Sequence, residues 1–301
     1  MFKVEEGYMP YLEYQTYYRM VGDPSNPTIL LLHGGPGSSH QYFEVLDDLA
    51  KEGICLVMYD QLGCGKSYLD GHPELWHMTT WVNELIALRS FLKLKKVHLL
   101  GQSFGGMLAL EYVLHYASKG VESLILSSTL SSASLWAKEQ HRWINYLPSA
   151  KQAAIYQAEK TNNFTSDEYQ QANAYFMQLH AFSPNNNFPC LQKEVKKGKE
   201  SYQVAWGPNE YVPNGTLAHF EVTAELNKLK IPSLIISGSD DLCSPLVAKT
   251  MFDALPLAKW ELVADARHMV FVDQNAIYKK ILRKWLKEDY QHFKDKEVNW
   301  L

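Results

Sequence analysis

The chain has 301 residues, of which 46% are hydrophobic and 21% charged, with a formal net charge of −4. That length holds one large core plus an inserted or appended subdomain, and is too short for three ordinary domains. The slightly acidic balance gives no electrostatic case for nucleic acid or an anionic membrane as partner.

The start, "MFKVEEGYMPYLEY", is acidic and aromatic, without the basic end and apolar stretch of a secretory signal. No apolar run approaches the ~18 residues needed to span a bilayer. These features predict a cytoplasmic protein with no transmembrane segment, and leave peripheral contact with the envelope open. The cysteines Cys55, Cys64, Cys190 and Cys243 form no CxxC pair. Their scatter argues against a zinc cluster or disulfide framework and suits a reducing compartment.

Residues 11–22, "YLEYQTYYRMVG", alternate like a hairpin or antiparallel edge strand. "TILLLH" (28–33) and "ICLVMYD" (54–60) are continuous apolar runs, the pattern of strands covered on both faces by helices. Cys55 in the second run reads as plain core. The loop after the first is "HGGPG" (33–37), and the loop after the second is "DQLGCGKS" (60–67). "GCGKS" imitates the tail of a phosphate-binding loop. The full pattern needs a glycine five residues before Gly65, where Asp60 stands.

"TTWVNELIALRSFLKL" (79–94) places Trp81, Leu85, Leu88 and Leu92 at helical spacing, with a loose N-cap signal at Thr80. "VHLLGQS" (97–103) is a third buried strand, followed by the nearly all-apolar helix "GGMLALEYVLHYA" (105–117). At their junction stands Gly101-Gln102-Ser103-Phe104-Gly105. A G-x-S-x-G between strand and helix is the context of a nucleophile elbow, which lifts a serine Oγ over the sheet's edge. A fourth strand is "SLILSST" (123–129).

Residues 131–209 break the rhythm. Helical stretches lie around 134–147, 149–160 and 166–181, then loops with Pro184 and Pro189, with no convincing buried strand. A helical insertion of this kind predicts a lid over a core made of residues 1–130 and 210–301. The basic run "KEVKKGK" (193–199) reads as a solvated loop or helix face. Strands return at 231–241 and 258–268, with helices at 246–255 and 275–290. Strands alternating with helices predict an α/β fold, a mostly parallel central sheet flanked by helices with an inserted helical cap.

A serine hydroxyl is a poor nucleophile at neutral pH and needs a base, itself oriented by an acid. Among histidines downstream of Ser103, only His268 follows a late strand. The acid should follow the preceding strand, at Gly238-Ser239-Asp240-Asp241. Asp241 is favoured over Asp240, because the fourth residue of that turn would face the site. Attack on a carbonyl creates an oxyanion, which needs two aimed N–H donors. Phe104, next to the nucleophile, supplies one, and HGGPG explains the other. Gly34 and Gly35 have no Cβ, so backbone can approach the substrate. Pro36 stiffens the loop and holds the Gly35 N–H in place. No metal or organic cofactor is needed.

HGGPG, DQLGCGKS, GQSFGG, GPNE, GSDD and a late histidine, in this order, resemble the proline iminopeptidases, serine peptidases of the α/β-hydrolase fold. The resemblance runs from about Gly7 to the C-terminal helix. It implies a serine aminopeptidase releasing N-terminal proline from short peptides through an acyl-enzyme. It implies Ser103, Asp241 and His268 as triad, Gly35 and Phe104 as oxyanion donors, and Glu210 in "WGPNEY" as the group that binds the substrate's amino terminus. Some members place a second carboxylate directly after the catalytic aspartate. Leu242 stands there instead, so one carboxylate suffices, Glu221 serves, or the amine site differs. An amino-acid amidase or an esterase with the same triad are the alternatives. Dehalogenases and epoxide hydrolases need an aspartate nucleophile, which Ser103 excludes. Lid aromatics Trp136, Trp143 and Phe176 are read as cap core rather than ring pocket. The sequence leaves assembly into oligomers open.

Overall fold

The computed structural model describes residues 3–181 and 187–293. Eight strands form one sheet in the order β1-β2-β4-β3-β5-β6-β7-β8. They are β1 (Val4–Tyr11), β2 (Tyr14–Val21), β3 (Thr28–Leu32), β4 (Cys55–Tyr59), β5 (Val97–Gln102), β6 (Val121–Ser127), β7 (Ser233–Gly238) and β8 (Ala258–Val263). The alternating N-terminal segment forms the β1–β2 hairpin, and β2 pairs antiparallel to β4. All the remaining pairs are parallel. Every residue of β3, β4, β5 and β7 is buried, as continuous apolar runs require. Cys55 is indeed core. β8 is the outer strand and only its last residue is buried.

Helices α1 (Met78–Phe91) and α2 (Phe104–His115) follow β4 and β5. α1 starts at Met78, ahead of the Thr80 signal, with His77 extended before it. Thr80 and Glu84 are therefore interior helix positions, and both face inward. Between β6 and β7 lie α3 (Ala133–Ile144), α4 (Ser149–Thr161), α5 (Asp167–His180) and the short α6 (Lys199–Ala205). Pro189 opens a short turn, and Pro184 lies outside the described residues. After β7 come α7 (Pro245–Ala254) and, past β8, α8 (Val270–Asp273) and α9 (Asn275–Lys284), which runs on through a wider turn at Trp285–Asp289. No helix among the described residues is long and apolar enough to cross a membrane.

Glu84 is a buried carboxyl tying the hairpin to the core. The Leu62 N–H donates to both its oxygens, at 2.9 and 3.1 Å, and the Thr16 hydroxyl bonds to it from β2. Burial outweighs these bonds and raises its pKa from 4.5 to about 8. The folded state thus keeps a proton that the unfolded chain releases. This group costs nothing below pH 4.5, and its cost grows as pH rises toward about 8. The whole effect is on the order of 5 kcal/mol. Glu84→Gln cannot ionise, so its Tm relative to the unmodified protein should climb steadily from pH 5 to pH 8. A pH-independent Tm difference in calorimetry would contradict a buried, protonated Glu84.

Candidate active site

The parallel strands end at one edge of the sheet, and the loops beyond those ends meet there. HGGPG follows β3, Ser103 follows β5, Asp241 follows β7 and His268 follows β8.

Ser103 sits between β5 and α2 with φ 54° and ψ −124°. This region is costly for a non-glycine residue, about 1–3 kcal/mol, and persists only where the surroundings enforce it. They do so here. The Ser103 N–H donates to the Ser127 carbonyl at 3.0 Å, and the Thr129 hydroxyl donates to the Ser103 carbonyl at 2.6 Å. The elbow also needs α2 to lie against β3. A Cβ on Gly105 would stand 2.0 Å from the Leu32 carbonyl oxygen. Backbone on both sides cannot yield, so Gly105→Ala should destabilise by about 3 kcal/mol or more. Urea unfolding checks this, and a loss under 1 kcal/mol would contradict the packing described.

Asp241 is fully buried, and each of its oxygens takes two bonds. Oδ1 accepts from His268 Nδ1 and from the Cys243 N–H, both at 2.8 Å. Oδ2 accepts from the Ser128 hydroxyl at 2.6 Å and the Gly238 N–H at 3.1 Å. Asp240 instead is exposed and accepts from the Ser239 hydroxyl. Because Asp241 accepts, His268 carries its proton on Nδ1, and Nε2 is left as the basic nitrogen. Two bonds to the end of α5 hold this loop: His268 N–H to the His180 carbonyl at 3.0 Å, and Met269 N–H to the Ala181 carbonyl at 3.1 Å.

The HGGPG loop is braced from its first residue. The Gln61 N–H donates to His33 Nε2 at 3.0 Å, so the ring proton lies on Nδ1 and donates to the Gly34 carbonyl at 2.9 Å. Burial lowers the His33 pKa from 6.5 to about 4, which keeps the ring neutral in this tautomer. The Gly34 N–H donates to the Tyr42 hydroxyl, which donates to Gln102 Oε1 at 2.8 Å. Gly35 has φ 116°, open only to glycine, and precedes a cis bond to Pro36. Among the described residues, the N–H groups of Gly35 and Phe104 have no hydrogen-bond partner. In "DQLGCGKS", Asp60 is buried and accepts from the Lys66 N–H and from His40. Its carboxylate takes the place an anion would need.

A cavity of about 360 Å³ lies over these groups, bordered by Gly35, Ser103, Tyr202, Glu210 and His268. Glu210 is the only carboxylate among the described residues that border it. Burial raises its pKa, opposed by nearby His268 and by the Tyr202 hydroxyl, which donates to Oε1 at 2.8 Å. Its backbone carbonyl accepts from Trp136 Nε1 at 2.8 Å.

Glu221 does not serve as a second acid. It is exposed, and its carboxylate accepts the Thr223 N–H two residues on. Leu242 is buried, with its carbonyl taken by Gln140. Trp136 and Phe176 are buried, Trp136 edge-on to His268 with ring centres 5.8 Å apart. Trp143 stacks on His180. The sequence reading missed His33 as a brace, Tyr42, Gln102, Ser128 and Tyr202. His33 alone carried a signal, as a histidine closing an apolar strand inside the motif.

A family model described as alpha/beta hydrolase fold matches residues 27–274. A proline iminopeptidase of Lactobacillus crispatus is 56% identical, over 94% of this chain and 98% of that one. A proline iminopeptidase of Clostridium botulinum is 52% identical, over 95% and 99%. The crystal structure of a Mycobacterium smegmatis proline iminopeptidase superposes with a TM-score of 0.84 at 26% identity, covering 96% of this chain and 99% of that one. With identity this high over nearly its whole length, the chain belongs to the proline iminopeptidases, a group of hydrolases within the α/β-hydrolase fold family.

Proposed function

We propose that the protein releases N-terminal proline from peptides by nucleophilic catalysis at Ser103. The observation that carries this reading is the cavity itself. It brings Ser103, the Asp241-held His268 and Glu210, the lone carboxylate among the described residues that border it, to one space. The relatives' shared name supplies the substrate class.

In this mechanism residues 131–209 cap the core. The substrate's protonated proline nitrogen pairs with Glu210, in a charge-assisted bond that peptides with a blocked terminus cannot make. Ser103 Oγ attacks the proline carbonyl as its proton passes to His268 Nε2. Asp241 holds the imidazolium that forms. The Gly35 and Phe104 N–H groups take the oxyanion, each contributing about 3 kcal/mol to lowering the barrier. His268 returns the proton to the leaving amine. Water, deprotonated by the same histidine, then cleaves the prolyl ester; His268 returns that proton to the departing Ser103 Oγ, and proline is freed.

A panel of aminoacyl-naphthylamides, each free and acetylated, tests this function. Free prolyl-naphthylamide should be the best substrate and its acetylated form among the worst. Equal turnover of both forms would favour an esterase or amidase that does not read the amine.

A further inference from the structure

The basic segment 193–199 is not a freely solvated face. The Gly198 N–H donates to the Gly37 carbonyl at 2.9 Å, and the Lys196 carbonyl accepts the Gly65 N–H at 2.8 Å. The segment is thereby clamped against the HGGPG loop, which carries the Gly35 N–H, and against the loop after β4. Its lysines divide by what they touch. Lys193 pairs with Glu44 at 2.9 Å, and Lys196 lies 3.6 Å from the centre of the Tyr68 ring. Lys197 and Lys199 both border the catalytic cavity, and neither has an acidic partner among the described residues; of the two, only Lys197 reaches further.

Lys197 also borders a second cavity of about 450 Å³, which shares Ser38, Tyr42, Met177, His268 and Met269 with the first. The walls of the second cavity are largely apolar, with Met177, Leu191, Val195 and Val272. Glu210 borders only the first cavity. A substrate held there by its amine and attacked beside His268 therefore has the second cavity open to its leaving group.

We propose that this second cavity receives the residue after proline, that it favours a large apolar side chain, and that Lys197 pairs with the carboxylate of a dipeptide. The proposal rests on the function argued above. A dipeptide carries its carboxylate one residue beyond the scissile bond, where the exposed Lys197 ammonium, carried on a backbone held at Lys196 and Gly198, would meet it. An amidated dipeptide has the same side chain and no charge, so comparing the two isolates the pairing.

The experiment measures kcat/KM for proline release from Pro-Leu and Pro-Leu-amide, with prolyl-naphthylamide alongside. The unmodified enzyme should prefer the acid about fivefold, the scale of a partly solvated ion pair. In K197M the acid-to-amide ratio should fall to about one, and K197R should restore it. In 0.5 M KCl the preference should shrink, since screening acts within a few ångströms at that strength. The ratio does not depend on the fraction of folded enzyme, so a poorly folding variant still reports. Equal rates on acid and amide, or an unchanged ratio in K197M, overturn the Lys197 assignment while prolyl-naphthylamide turnover leaves the proposed function standing. No turnover of any of the three overturns both.

Discussion

Replacing Ser103 by alanine should lower kcat on prolyl-naphthylamide by about 10⁵- to 10⁶-fold, the loss seen when a serine nucleophile is removed from such a triad. The fold should survive. The Ser103 side chain makes no hydrogen bond with the described residues, and the backbone bonds from Ser127 and Thr129 do not involve it. Alanine bears the same positive φ burden as serine, so the strain at the elbow is unchanged. Circular dichroism and Tm should therefore match the unmodified protein. Activity above about 1%, after a check for contaminating enzyme, would mean that another group attacks the carbonyl.

The second large effect is selective. Glu210→Gln keeps the side chain's shape and an oxygen for the Tyr202 hydroxyl, but removes the negative charge facing the cavity. Losing one partner of a shielded charge pair costs about 2–5 kcal/mol. Free prolyl substrates should lose on the order of 10²-fold in kcat/KM, while acetylated ones change little. The pH profile carries an independent sign. Burial holds the Glu210 pKa above the ordinary carboxylate range, so the empty site picks up a proton at higher pH than an exposed glutamate would. Falling pH then neutralises the anchor while the substrate amine stays charged, and free-amine substrates lose kcat/KM on the acid side. That contribution should vanish in Glu210→Gln. Parallel losses on free and acetylated substrates, with an unaltered acid limb, would assign Glu210 a merely structural part.

The inner strands of the sheet were legible because they are short, continuous and apolar, a pattern that parallel packing under helices demands. The serine was legible because strand, G-x-S-x-G and helix occur together. Asp241 and His268 followed from chain order and from their places after late strands. What lay beyond reach was long-range. Nothing local to His33, Tyr42 or Gln102 says that they form one chain of bonds from the HGGPG loop to the elbow. His40–Glu52 folds as tight turns with a three-residue period rather than as an α-helix, so the usual spacing is missing. α6 is seven residues long inside a polar stretch and lacks the length to show a period. Glu210 was reached through a family motif, since a lone glutamate beside Gly-Pro-Asn carries no chemical signature. Glu221 looked serviceable by type, and only the fold shows it turned to solvent.

The central claim is that Ser103 is the residue which becomes acylated. Treating the protein with a fluorophosphonate, then locating the label by peptide mass spectrometry, tests it directly. One adduct, on Ser103, forming in step with the loss of prolyl-naphthylamide turnover, is the predicted result. A label on a different residue, or full inactivation with Ser103 unlabelled, would contradict it.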